Sequence, residues 1–373
     1  MAPWGTAAVT TELLLASIDL RFETFVIRVA SPDPDDLVWL AAFLEAGFEP
    51  VESSSPDAYV ALTVDPVVYD TLIADERRKP GEVLEGFAKD SNPLMLERWS
   101  SDSAVMLLRD PKVPAFYRLS APLRVAEIII PARTPRCRTR LMRVVRELVM
   151  DHIVATGGVL IHGAAVCSQR GVIAVSGPKH SGKTTLLMSL LEHTDVAYVS
   201  NDRCVLRLLD DGPMVRGLPT IVSIRKNGLG ALKGPYQRLL AKYPDVATSD
   251  KPTVSLGPHE FAGLFESRRV ASGPALAFLF PHVTANRHRL SQRRLAPADA
   301  LACLREGLFR AAHPTVLGAA FASDETRGRS AWDIAAPAAR WVSENVPCLR
   351  VELGGGEPPT ADECRTLLAQ IST

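Results

Sequence analysis

The chain has 373 residues, 47% hydrophobic and 23% charged, ordinary proportions for a globular protein with room for two domains. Lys+Arg and Asp+Glu both total 42, so no net charge points to nucleic acid or to a membrane surface. No apolar run approaches the ~18 residues of a transmembrane helix, and the start lacks the basic and apolar regions of a signal peptide.

The six cysteines (Cys137, Cys167, Cys204, Cys303, Cys348, Cys364) are widely scattered and include no CxxC pair. They indicate neither a zinc site nor a disulfide framework, and are read as reduced thiols of a cytoplasmic protein.

Residues 1–131 read as a smaller N-terminal α/β domain with no chemical motif. Strands are expected at Thr24–Ala30, Ala58–Thr63, Ala104–Leu108 and Val125–Ile130. A helix through Leu37–Leu44 is introduced by the Pro- and Asp-rich stretch Ser31–Asp36. Substrate binding, dimerisation or support of the second half are all open roles for this domain.

The texture changes near Pro131, and residues 132–373 read as the second domain. Thr134-Pro135 is a helix start, Thr as N-cap and Pro at the first helical position. That helix is expected to run to Thr156 and stop at Gly157-Gly158. Its first turns are crowded with arginines, and Arg136, Arg140 and Arg143 share a face. A solvated face is the plain reading; an acidic peptide or a nucleotide is the alternative. Val159–Gly163 then reads as an apolar strand ending at His162 and a glycine. A lone His there is either a hydrogen-bonded core residue or a catalytic one.

Gly177-Pro178-Lys179-His180-Ser181-Gly182-Lys183-Thr184 fits the pattern G-x-x-x-x-G-K-[ST] in full. Gly171–Ser176 before it reads as a buried strand, and Thr185–Glu192 after it as an apolar helix. That setting lets successive loop N–H groups and the positive end of the helix cradle phosphate oxygens. Lys183 is then expected to reach the β- and γ-phosphates, and the Thr184 hydroxyl to ligate Mg²⁺. Residues 177–185 are the expected nucleotide contacts, with His180 pointing its side chain to solvent.

Val196–Ser200 reads as the next strand, with Asn201-Asp202 at its end. Ligands in such folds lie beyond the carboxyl ends of strands, so Asp202 can hold Mg²⁺ or act in catalysis; an Asp opening a turn looks the same in sequence. Cys204–Leu209 and Pro213–Gly217 read as a hairpin around Asp210-Asp211-Gly212. Arg225 and Lys226, after Leu218–Ile224, could reach a phosphate. So could Arg287, Arg289, Arg293 and Arg294, which follow the strand Leu276–Phe280. A final helix begins at Thr360 with a capping-box pattern to Glu363.

From Leu160 onward the chain resembles the HPr kinase/phosphorylase-like family. The resemblance rests on Ile161-His162-Gly163 ahead of the loop, the loop itself, and the acid after the following strand. The run Val346–Leu353, then Pro358 and a short helix, is similar to the tail of many members. The resemblance implies a P-loop kinase core of the HPr kinase type, which transfers the γ-phosphoryl group of ATP or GTP to a hydroxyl. The acceptor would be a Ser/Thr of a peptide or protein, or a small metabolite; regulatory members are oligomeric. By position, Lys183 would hold phosphates, Thr184 and Asp202 the metal, Asp202 would otherwise be the base, and His162 would assist at the reacting phosphoryl group. One departure stands out: where the family carries two adjacent acids, this chain has Asn201-Asp202, and Asn cannot accept a proton.

Two other readings compete. For a nucleotide-hydrolysing switch or motor, a GTPase would show Asn-Lys-x-Asp and an ABC-type ATPase Leu-Ser-Gly-Gly-Gln; neither occurs. A catalytically degenerate nucleotide-binding module is motivated by Asn201.

Overall fold

The computed structural model describes residues 15–75, 81, 83–86, 94–101, 105–120, 124–284, 290–308, 330–354 and 357–371. The chain is mixed α/β and divides into two compact units. Their described residues fall in 15–42 with 48–155, and in 43–47, 156–308 and 330–371.

The first unit is built on a nine-stranded sheet. In chain order its elements are β1 (Ala16–Phe22), β2 (Phe25–Ser31), α1 (Pro34–Leu44), β3 (Glu49–Val51), β4 (Ala58–Val64), α2 (Pro66–Ala74), β5 (Val83–Gly86), β6 (Leu94–Ser101), β7 (Met106–Asp110), β8 (Ala115–Ser120), β9 (Val125–Ile130) and α3 (Cys137–Ala155). The sheet order is β3-β1-β2-β4-β9-β8-β7-β6-β5, and the β2–β4 and β4–β9 pairs are parallel. Tyr69 and Leu72 of α2 pack with Leu107, Phe116 and Ile129 on one face. The helix α3 packs against β2, β4 and β9. It therefore belongs to the first unit, and the division between units falls at Ala155 and not near residue 131. Its regular turns begin at Cys137, later than the Thr134-Pro135 signal, because residues 135–136 form a turn closed by the Cys137 N–H donating to the Thr134 carbonyl. Gly157, at φ 77°, ends it as expected.

The second unit contains β10 (Val159–Ser168), β11 (Gly171–Ser176), α4 (Lys183–His193), β12 (Ala197–Ser200), β13 (Arg203–Leu209), β14 (Gly212–Gly217), β15 (Val222–Arg225), α5 (Lys226–Gly230), α6 (Lys233–Lys242), α7 (Asp245–Thr248), β16 (Thr253–Leu256), α8 (Pro258–Leu264), β17 (Ser272–Thr284), β18 (Ser291–Arg294), α9 (Pro297–Glu306), α10 (Ala331–Asn345), β19 (Cys348–Gly354) and α11 (Ala361–Ile371). β11, β17 and β19 run parallel and form the middle of its main sheet. β10 lies antiparallel to β11 and also pairs with β12 and β13.

Apolar side chains cover both faces of this sheet, as a buried parallel arrangement requires. Leu186, Leu187 and Leu190 of α4 pack one face with Leu229, Leu239, Phe261, Cys364 and Leu367. Cys303 and Leu304 of α9 and Ala335, Ala339 and Val342 of α10 pack the other.

β10 does not end at Gly163 but runs on to Ser168. A side chain at Gly163 would place its Cβ 2.7 Å from the Val175 carbonyl oxygen, so the glycine permits close approach of β11. The hairpin of β13 and β14 forms as read, with Gly212 at φ 113° and Asp210 and Asp211 exposed. Residues 218–221 fall outside β15. Arg287 and Arg289, and residue 104 of the early strand expectation, lie outside the described residues. All six cysteines are free; burial pushes the Cys204 thiol up to about 12, as it does those of Cys348 and Cys364. Among the described residues no helix is long and apolar enough to cross a membrane.

Candidate functional site

The turn from β11 into α4 forms the site. Val172, Ile173, Ala174 and Val175 are all fully buried, so the strand holds a fixed position in the sheet. Gly177 leaves it at φ 150°, His180 lies at φ 68°, and Gly182 caps α4 at φ 100°. At Gly182 a Cβ would also come within 2.6 Å of Leu353 Cδ1, so glycine is required there twice over. The chain thus wraps a concave loop whose residues Pro178, Lys179 and His180 are exposed while Ser181 and Lys183 are buried. Thr184 and Thr185, in the first turn of α4, are half-buried.

Lys183 folds back into this loop. Its Nζ donates to the carbonyls of Gly177 and Pro178, each at 2.8 Å. Burial pulls its pKa down, and the nearby charge of Asp202 pushes it up. Among the described residues the buried Ser181 Oγ finds no hydrogen-bond partner, an orphan donor inside the loop. Four features fit an oxyanion: an ammonium resting on loop carbonyls, an unmatched hydroxyl, two glycines at positive φ, and a helix start.

Topology carries His162 and Asp202 to the same edge. Gly163 is paired with Ser176, so His162 lies one residue beyond the end of β11. The Gly163 N–H donates to the Asp202 carbonyl, and His162 pairs with Arg203 across β10 and β13. The side chains meet: His162 Nε2 is 3.5 Å from Asp202 Oδ1. That is longer than a tight hydrogen bond, a spacing common where acid–base pairs tighten only around a ligand. Both side chains keep more than a third of their surface in solvent, so a ligand can reach them.

Arg203 completes the group and was not anticipated from sequence. Its Nε lies 3.5 Å from Asp202 Oδ2, and its side chain is 10% exposed. The only available signal was its place beside Asp202 at a strand start.

Asn201, where the resembling family has its first acid, is committed to the fold. Its Oδ1 accepts from the Tyr198 hydroxyl at 3.2 Å and from the Thr220 hydroxyl at 3.1 Å. Lys226 Nζ donates to the Val246 carbonyl at 2.6 Å and to that of Ser249. Arg225 is exposed on β15, and Arg293 and Arg294 are exposed on β18.

A metal here has few protein donors. Among the described residues no group of three or more His, Cys, Asp or Glu side chains is gathered to hold one. Thr184 and Asp202 offer one hydroxyl and one carboxylate, a sparse set that suits Mg²⁺ shared with ligand phosphates. No family model matches the chain, and no curated protein matches it in sequence.

Proposed function

We propose that this chain is a Mg²⁺-dependent P-loop kinase with a core of the HPr kinase type. It transfers the γ-phosphoryl group of ATP or GTP to a hydroxyl of a peptide or protein Ser/Thr, or of a small biosynthetic metabolite. One observation carries the reading: a buried lysine in a glycine-bounded loop stands at the same sheet edge as a solvent-accessible His–Asp pair. The loop can hold phosphates and the pair can handle the proton of an entering hydroxyl.

Lys183 leaves its two carbonyls for phosphate oxygens, and the loop N–H groups with the Ser181 hydroxyl take others. Thr184 and Asp202 would hold the metal, which would supply charge neutralisation to the phosphoryl group in transfer. Arg203 holds the Asp202 carboxylate. His162 accepts the acceptor's proton at Nδ1, while Nε2 faces the Asp202 carboxylate, which stabilises the imidazolium that results. With its carbonyl oxygen already accepting two hydroxyls, Asn201 takes no part as a base.

Binding without transfer is the second reading, and Asn201 is the observation that favours it. Calorimetric titration with non-hydrolysable ATP and GTP analogues, with and without Mg²⁺, tests the site. Metal-dependent binding that Lys183→Ala abolishes is the expected result, and it names the base. Binding that survives Lys183→Ala would move the nucleotide elsewhere. Binding with no transfer to any hydroxyl acceptor would favour the second reading.

A further inference from the structure

We propose that the first unit has an oxyanion site of its own, where the guanidinium groups of Arg140 and Arg143 and the hydroxyl of Tyr117 take a phosphoryl group. The arginines at the start of α3 were expected to form a solvated face, and Arg140 does the opposite. It is only 9% exposed. Its Nη1 is buried with no hydrogen-bond partner. Among the described residues neither the Arg140 nor the Arg143 side chain makes a hydrogen bond or an ion pair. Of the other arginines, Arg133 pairs with Asp33 and Asp36, Arg138 lies over the Trp39 ring, and Arg136 is exposed.

A buried guanidinium with no partner is a costly arrangement, tolerated where an anion completes it. Arg140 and Arg143 are three residues apart on one helix face, so their forks point to one region. Tyr117 lies in that region. Its neighbour Phe116 packs with α2, so alternation along β8 turns Tyr117 to the opposite face, under α3. Tyr117 is 2% exposed, and its hydroxyl makes no hydrogen bond among the described residues. Burial raises its pKa, and the charges of both arginines act on it in the other direction.

Two acids also face this group, Asp110 and Glu147, and neither pairs with Arg140 or Arg143. Asp110 is tied to its own turn, where Oδ1 accepts from the N–H groups of Lys112 and Val113. Glu147 is buried one turn further along α3. Two planar forks and a hydroxyl supply more donors than a carboxylate can use, and they match the oxygens of a phosphate.

The site is independent of the nucleotide loop, and the test silences that loop. The full chain carrying Lys183→Ala is titrated with inorganic phosphate, O-phosphoserine and acetate, followed by calorimetry and thermal unfolding. Phosphate or phosphoserine is expected to bind one site and raise Tm by about 2–4 °C or more when saturating. Adding Arg140→Met should abolish the response, and Tyr117→Phe should weaken binding about tenfold, the loss of one hydrogen bond to a charged group. Tighter binding of phosphoserine would make a phosphorylated side chain or metabolite the source, and tighter binding of phosphate the free ion. Arg143→Met serves if the Arg140 variant does not fold. The proposal is overturned if neither phosphate compound binds, if acetate binds as well as they do, or if the response persists without the arginines.

Discussion

Lys183 carries its charge into a buried loop and holds it there on two carbonyls. Its proposed role is legible because the loop groups around it lie within eight residues of sequence. His162 is less so: its proposed role depends on a sheet register that places it beside Asp202. His162→Ala is expected to lower kcat for phosphoryl transfer by about 10²–10⁴-fold, the usual contribution of acid–base help, with KM for nucleotide little changed. Steady-state kinetics of nucleotide turnover would read this, and an unchanged kcat would make His162 structural. Asn201 and Arg203 show the limit of residue-level reading. The Asn could be seen to lack a base, but only the fold shows Tyr198 and Thr220 fixing it. An Arg beside an Asp is common in any sequence, and its burial is what singles Arg203 out.

Among the elements, those set by short-range signals are the legible ones. The strand Gly171–Ser176 matched its expectation residue for residue, because a buried run bounded by Gly residues has few other solutions. The Thr360–Glu363 capping box formed, with the Thr360 N–H donating to Glu363 Oε2 at 2.8 Å. The glycine of Ile161-His162-Gly163 misled, since a strand terminator and a point of close packing look alike in sequence. Gly163→Ala is expected to destabilise the second unit by about 1–3 kcal/mol, the range for overpacking against immovable backbone. A fall in the urea midpoint of its unfolding would show it; an unchanged midpoint would mean that β10 and β11 can separate at no cost. The arginines of α3 misled for a related reason. Helical spacing shows which residues share a face, but not whether that face meets water.

At the scale of the molecule, the two units have separate cores, so a change in one is read there. Asp151, half-buried on α3, has its pKa raised to about 6, by burial first and against the opposing charge of Arg124. Raised from 3.8, it favours the protonated form in the folded state. Its contribution is therefore most favourable below about pH 4 and is lost as pH rises through about 6. Asp151→Asn should stabilise the first unit at pH 8 by about 1–3 kcal/mol, after discounting for solvent screening, and give no gain at pH 3.5. Urea unfolding at the two pH values measures this, and an equal effect at both would remove Asp151 from the pH dependence.

Sequence alone determined the glycine-bounded loop at 177–184, its strand and helix, and the α/β texture of both halves, because these depend on neighbours a few residues apart. Tertiary structure decided what those neighbours could not specify. It assigned α3 to the first unit, carried His162, Asp202 and Arg203 to one edge, turned Asn201 into a structural acceptor and buried Arg140. Each outcome depends on which surfaces come together across tens of residues, and that is set by strand register and packing.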